Sequence, residues 1–209
     1  MSGPSEVESP ARPKPRFPLF RPILAGATLR DRLIACFGAL VGIATVGFLC
    51  RLMFGSSPQL PLLVAPVGAS AVLLFAVPAS PLAQPWPIIG GNVISAFTGI
   101  LIARLIQDPI LAAGTAVAVA IAVMSFARCL HPPGGAAALL MVITHTTQFH
   151  FAFFPVLLNS LLLVGMGVLF NSLTGRIYPR AQLTATQAGL RPVDGRGFSA
   201  ADLDAALAH

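Results

Sequence analysis

Between residues 33 and 173 formal charge is almost missing: Arg51, Arg104, Asp108 and Arg128 are the only Asp, Glu, Lys or Arg in that stretch. A water-facing surface needs far more, so a soluble globular domain is excluded. Acids are scarce throughout, with 7 Asp+Glu against 13 Lys+Arg in 209 residues. Paired carboxylates, HExxH, GxSxG, CxxC and a phosphate-cradling P-loop are all missing, so an enzyme is not expected. Cys36, Cys50 and Cys129 have no zinc spacing and are odd in number. They read as small packing residues, which leaves no metal site, no disulfide framework and no expected cofactor. The basic excess lies in two short tails and forms no stripe, which argues against nucleic acid as a partner.

What the sequence does have is apolar length. Stretches 33–54, 88–107, 110–130 and 151–173 are each about 20 residues and mainly apolar, enough to cross a hydrocarbon core of about 30 Å. Two further apolar stretches, 60–77 and 131–144, are shorter and interrupted by Pro and Gly. The expectation is an all-α membrane protein with four full spans and two broken or re-entrant segments. Residues 1–32, rich in Pro and Arg, read as a disordered basic tail, and no secretory core lies near Met1. Residues 174–209 regain polarity with Arg176, Arg180, Arg191 and Arg196, so both tails favour the cytoplasm. Within 198–208, Ser199, Asp202, Leu203 and Leu207 start an amphipathic helix, as if the chain stopped ahead of a further domain.

The block repeats itself. Aligning PVGASAVLL from Pro66 with PPGGAAALL from Pro132 gives identity at Pro66/Pro132, Gly68/Gly134, Ala71/Ala137, Leu73/Leu139 and Leu74/Leu140. Each copy is followed by a span with a polar step, Asn92 with Ser95 and Asn159 with Ser160, so 33–107 and 110–173 read as two halves. In each copy Pro breaks the chain and a run of small residues, Gly68-Ala69-Ser70 or Gly134-Gly135-Ala136, starts a helix against close neighbours. Helix starts carry the positive end of the dipole. Paired interrupted helices also point to a transporter's binding site, although Pro and Gly are tolerated as mere kinks in membrane helices. An interior whose only acid is Asp108 suits an anion better than a cation.

Three separate motifs resemble the HPP family of integral membrane proteins: CLHPPGGA from Cys129 to Ala136, APVGASAVLLFAVPASPLAQPWPIIGGN from Ala65 to Asn92, and NSLTGRIYP from Asn171 to Pro179. The resemblance covers about 30–180. It implies a membrane transporter, with nitrite the substrate associated with organellar and cyanobacterial relatives. GFSAADLDAALA from Gly197 to Ala208 is similar to the linker entering cytoplasmic CBS domains of bacterial members, domains that this chain lacks. A bacterial inner membrane location, with both termini cytoplasmic, follows from this reading.

The candidate substrate contacts are Pro66, Gly68, Ala69 and Ser70 at the first helix start, and His131, Pro132, Pro133, Gly134 and Gly135 at the second. To them are added Arg128, Asn92 and Asn159. His131, whose counterpart in the first copy is Ala65, reads either as an anion ligand or proton acceptor, or as a ring closing the turn onto a carbonyl. Arg128 either neutralises an anion or anchors a helix end. Asn92, Ser95, Asn159 and Ser70 serve substrate or helix-to-helix hydrogen bonds. Arg51 and Arg104 read as snorkelling cations, with Arg104 in reach of Asp108 one turn on. His145 and His150 read as exposed, and Trp86 as an interfacial anchor.

If the two broken segments cross, the chain makes six passes as inverted halves of three, the favoured plan; if they re-enter, it makes four. Gly38, Gly42, Gly165 and Gly167 are expected to form homo-oligomer contacts. Transport of a small inorganic anion is the leading function. An anion channel, or a membrane-anchored sensor for a missing cytoplasmic domain, are the alternatives.

Overall fold

The computed structural model describes residues 28–55 and 63–180. The tail 1–27 and the expected helix start in 198–208 lie outside the described residues. Six helices follow one another: α1 (Leu29–Phe54), α2 (Ala65–Ala76), α3 (Pro85–Leu105), α4 (Pro109–Phe126), α5 (Pro132–Ile143) and α6 (Leu158–Leu173). A 3₁₀ turn, Pro81–Ala83, precedes α3, and a wide turn, Ala152–Leu157, opens α6. Among the described residues there is no strand.

Four helices are long and apolar enough to cross a membrane: Leu29–Phe54, Pro85–Leu105, Pro109–Phe126 and Ala152–Leu173. Their outer faces are apolar. Leu33, Phe37, Leu40, Phe48 and Leu52 on α1, and Ile110, Leu111, Ile121 and Phe126 on α4, are exposed. Such an exterior suits lipid and no aqueous phase. The two 12-residue helices, α2 and α5, are each about 18 Å long and fall short of the hydrocarbon thickness.

Several boundaries move from those the sequence suggests, for local reasons. α1 begins at Leu29, inside the expected tail, because Thr28 caps it: its hydroxyl accepts from Asp31 N, and the Asp31 carboxylate accepts from Thr28 N. This reciprocal pair satisfies two orphan donors. α4 stops at Phe126 rather than near Leu130, because Arg128 turns left-handed (φ 54°), with Cys129 N donating to Met124 O and Arg128 N to Ser125 O. The same C-terminal geometry closes α5 at His145 and α6 at Gly175. The chain after α6 is no free tail either. Arg176 donates to Phe75 O and Asp31 O, and the Tyr178 hydroxyl donates to Ala83 O, so 174–180 form a strap across one end of the bundle.

Each helix runs against the one before it. Gly47 of α1 lies by Leu63 and Gly38 by Phe75; Phe54 meets Phe154 at one end, and Asp31 pairs with Arg176 at the other. α3 and α5 are parallel and in register, Gly91 against His131, Ser95 against Gly134 and Gly99 against Ala138. The first and last described segments therefore share one face, here the Asp31 face, opposite the Phe54 face.

Packing rests on small residues at every fourth position. Gly38, Gly42, Val46 and Cys50 form the buried seam of α1, and Ala112, Ala116, Ala120 and Met124 that of α4. Gly38 and Gly42 receive the Phe75 ring, and Gly167 receives Leu74. These three glycines are thus used within the chain, which corrects the expectation that they face a second copy. Gly165 alone of the four has open space. Two cores result, one from α1, α2, α3 and α6 with Met141 of α5 around Leu74, Phe75, Ile88 and Leu163, the other from α3, α4 and α5 around Ala116, Met124 and Ala138. α3 belongs to both.

Candidate functional site

His131 reaches the centre of the bundle because of how α4 ends. The left-handed turn at Arg128 sends Cys129 inward and Leu130 outward, and extended backbone at His131 (φ −141°, ψ 111°) turns its side chain in again. There it is fully buried. Its Nδ1 lies 2.8 Å from Leu82 O and its Nε2 2.8 Å from Ser70 Oγ. A carbonyl only accepts, so Nδ1 carries the hydrogen, and in the neutral ring Nε2 accepts from the Ser70 hydroxyl.

Ser70 projects from the second turn of α2, with Pro66 O 3.1 Å away as the other acceptor for its proton. Asn92 of α3 completes the group: its Nδ2 donates to Ser70 Oγ (3.1 Å) and to Ser160 Oγ of α6 (3.3 Å). Ser70, Asn92, His131 and Ser160 are all fully buried, and their four helices meet through side-chain hydrogen bonds at one depth. Asn92 Oδ1 and Ser95 Oγ are buried with no hydrogen-bond partner among the described residues. The Ser95 hydroxyl points at the first turn of α5, where a Cβ on Gly134 would stand 2.7 Å from it.

The remaining candidates separate. Asn159 sits one layer away, where its Oδ1 accepts from Val64 N at the start of α2 and its Nδ2 donates to Cys50 Sγ. Gly68 and Ala69 are exposed and face away from the cluster; Pro132 is exposed as well, and Gly135 half-buried. Pro66, Pro133 and Gly134 are buried. The repeat-related Gly68 and Gly134 thus differ: a Cβ on Gly68 meets nothing within 4 Å, while Gly134 is pinned by Ser95, Met124 and Gly91. Arg128 is exposed and distant in character from the buried ring three residues on. Arg104 does not meet Asp108. Its Nε donates to Thr147 O and its guanidinium stacks on Phe149, while Asp108 caps α4 by accepting from Leu111 N. Trp86 is exposed, and its Nε1 donates to Ala127 O. His145 and His150 are exposed, as expected.

The two helix starts offer fewer N–H groups than the dipole picture assumes. Pro132 and Pro133 have none, and Gly134 N already donates to His131 O. In α2 Pro66 has none, and Val67 N donates to Val64 O. The polar capacity at this depth is therefore carried by side chains. A cavity of about 250 Å³ opens over the start of α2 on the Phe54 side, between Leu63, Val64, Ala65, Leu140, Thr144 and Phe151.

A family model described as "HPP, transmembrane region" matches residues 25–179. The chain belongs to the HPP family. The match begins just before the Thr28 cap of α1 and ends at Pro179, one residue past the buried Tyr178, so the strap is part of the HPP unit. Two curated proteins of Dictyostelium discoideum, each named only as a transmembrane protein, are 37% identical to this chain, over 129 and 119 residues. The alignments cover 58% and 53% of this chain and 45% and 38% of theirs, so the chain spans less than half the length of these relatives. No solved structure matches it. The protein is a multi-pass membrane protein of the HPP family.

The candidate contacts read from the sequence left out four members of this site: Ser160, seen only as a polar step beside Asn159, and Leu82, Gly91 and Gly99. Leu82 contributes only a carbonyl, which no residue pattern signals. Gly91 and Gly99, with Ser95 between them at every fourth position, are the small-residue face that lets α5 approach α3. That spacing was readable.

Proposed function

We propose that this HPP protein moves a small inorganic anion across the membrane, past the Ser70, Asn92, His131 and Ser160 cluster, with nitrite the first permeant to test. The observation that carries the reading is the character of that cluster: neutral hydroxyl, amide and imidazole groups from four helices converge at one depth. Between 33 and 173 the single acid, Asp108, is engaged at the outer end of α4. Desolvating an anion is costly unless hydrogen-bond donors replace its water, and a nearby carboxylate would repel it. The cavity over Val64 supplies an approach from the Phe54 side. Rocking of one half against the other belongs to the same proposal. A plasma-membrane location in a bacterium, cytoplasmic termini on the Asp31 face, six passes and a homo-oligomer belong to the same proposal.

The test is nitrite uptake by proteoliposomes, with and without an imposed pH gradient. Saturable uptake above protein-free vesicles, lost in His131→Ala that still purifies as folded protein, is the expected result. Unitary currents would instead favour a channel. Absence of flux for nitrite, nitrate and similar anions overturns the reading.

A further inference from the structure

The turn that holds His131 is itself held from the far side. Leu82 O accepts from His131 Nδ1, and the next carbonyl, Ala83 O, accepts from the Tyr178 hydroxyl at 2.9 Å. Gln84 adds three further hydrogen bonds around the same turn. Its Nε2 donates to Pro78 O and Ser80 O, and its Oε1 accepts from Arg180 N on the strap. Ser80 Oγ in turn accepts from Leu82 N. Tyr178 is 5% and Gln84 6% exposed, so these bonds are shielded from water. Consecutive carbonyls are thus engaged in opposite directions, one by the strap and one by the buried ring.

We infer that Tyr178 is a positioning residue for His131, acting through the Pro81–Ala83 turn to keep the imidazole hydrogen on Nδ1. The inference takes its functional meaning from the transport reading, but the geometry is independent of it. With the hydrogen on Nδ1, Nε2 is a bare acceptor, and the Ser70 proton points at the ring. With the hydrogen on Nε2, the ring donates to Ser70 Oγ, and the Ser70 proton turns to Pro66 O. The strap therefore sets the direction of the Ser70 hydroxyl through a carbonyl that it does not touch. Arg176 anchors the strap two residues earlier, on Phe75 O and Asp31 O.

The experiment reads the ring itself. The full chain, labelled with ¹⁵N at histidine and carrying asparagine in place of His145, His150 and His209, is placed in lipid nanodiscs, and the His131 ring nitrogens are recorded by NMR. Wild-type Tyr178 is expected to give one protonated Nδ1 and one unprotonated Nε2. Tyr178→Phe, which keeps the ring and loses only the hydroxyl, is expected to shift the tautomer ratio by about fivefold, the scale of one hydrogen bond. Gln84→Met, which cuts the other tie, is the second arm and moves the ratio in the same direction should Tyr178→Phe fail to fold. Ser70→Ala is expected to move Nε2 alone. A wild-type ring protonated at Nε2, or ring signals unmoved in a folded Tyr178→Phe or Gln84→Met protein, overturns the proposal. A merely structural tyrosine would lower the melting temperature and leave the ring nitrogens where they were. Flux plays no part in this readout, so absence of transport would sink the functional reading and leave this one standing.

Discussion

Gly99 of α3 and Ala138 of α5 lie main chain against main chain: a methyl on Gly99 would come within 2.8 Å of the Ala138 Cα. Backbone cannot step aside as a side chain can, so Gly99→Ala is expected to cost about 1–3 kcal/mol. Gly114→Ala, on the open face of α4, is expected to hold or gain up to about 1 kcal/mol from helix propensity. Thermal unfolding of the detergent-solubilised protein compares the two. Equal melting temperatures would mean that α3 and α5 are not in this register.

Asn92 joins α2 to α6 through Ser70 and Ser160. Interhelical hydrogen bonds in membranes are worth about 0.6 kcal/mol each on average, so Asn92→Ala is expected to cost about 1 kcal/mol and to leave the protein folded. Nitrite uptake is expected to fall by about tenfold or more, beyond what that small loss of stability explains. Uptake at the wild-type rate would place the permeation path elsewhere.

Arg128 holds a left-handed backbone, which costs an L-residue about 1 kcal/mol relative to glycine. Arg128→Gly is therefore expected to raise stability by about that amount, and His145→Gly (φ 49°) by a similar one. Because the Arg128 side chain is exposed, uptake is expected to be unchanged. A tenfold loss in Arg128→Gly would restore the arginine to the substrate path.

Burial pushes the Tyr178 phenol well above its ordinary pKa of about 10. A group whose folded pKa is raised contributes stability that is complete below the unfolded value and is lost as pH rises through the folded one. Stability is thus expected to hold to about pH 10 and to fall above it, a decline missing in Tyr178→Phe. The chain has a single tyrosine, so tyrosinate absorbance reports this residue alone. Ionisation near pH 10 in folded protein would show that the hydroxyl is not held against Ala83.

The positions of the spans were legible because apolar length is a direct physical demand of the bilayer, and the prolines before α2 and α5 marked the short helices. The helix ends were less so. Gly175 announces its left-handed turn, but Arg128 and His145 occupy the same conformation with side chains that give no such signal. The repeat drew attention to Gly68 and Gly134 equally, yet only Gly134 of the two has a close neighbour among the described residues, because α3 lies against its face of α5 while the Gly68 face of α2 is exposed. His131, Ser70 and Asn92 were each visible as polar groups at membrane depth. Their convergence was not, since it depends on how far α4 runs before Arg128 turns the chain, and on a carbonyl at Leu82.

The two short helices meet at Ser70 and His131, and Ala65 and Leu140 line the same cavity; Ala65 to Ser70 is about 8 Å of helix rise. On the Phe54 side the cavity above Val64 has room for several waters, which carry the dielectric constant of the aqueous phase inward. With that cavity filled by water, the membrane potential would fall across what remains between Val64 and the Asp31 face, a thinner septum than the bilayer itself. On the proposed transport reading, an ion crossing there would do its electrical work, about 2.3 kcal/mol per charge at 100 mV, over a short path that includes the Ser70–His131 contact. Voltage, as much as concentration, would set the direction of its movement.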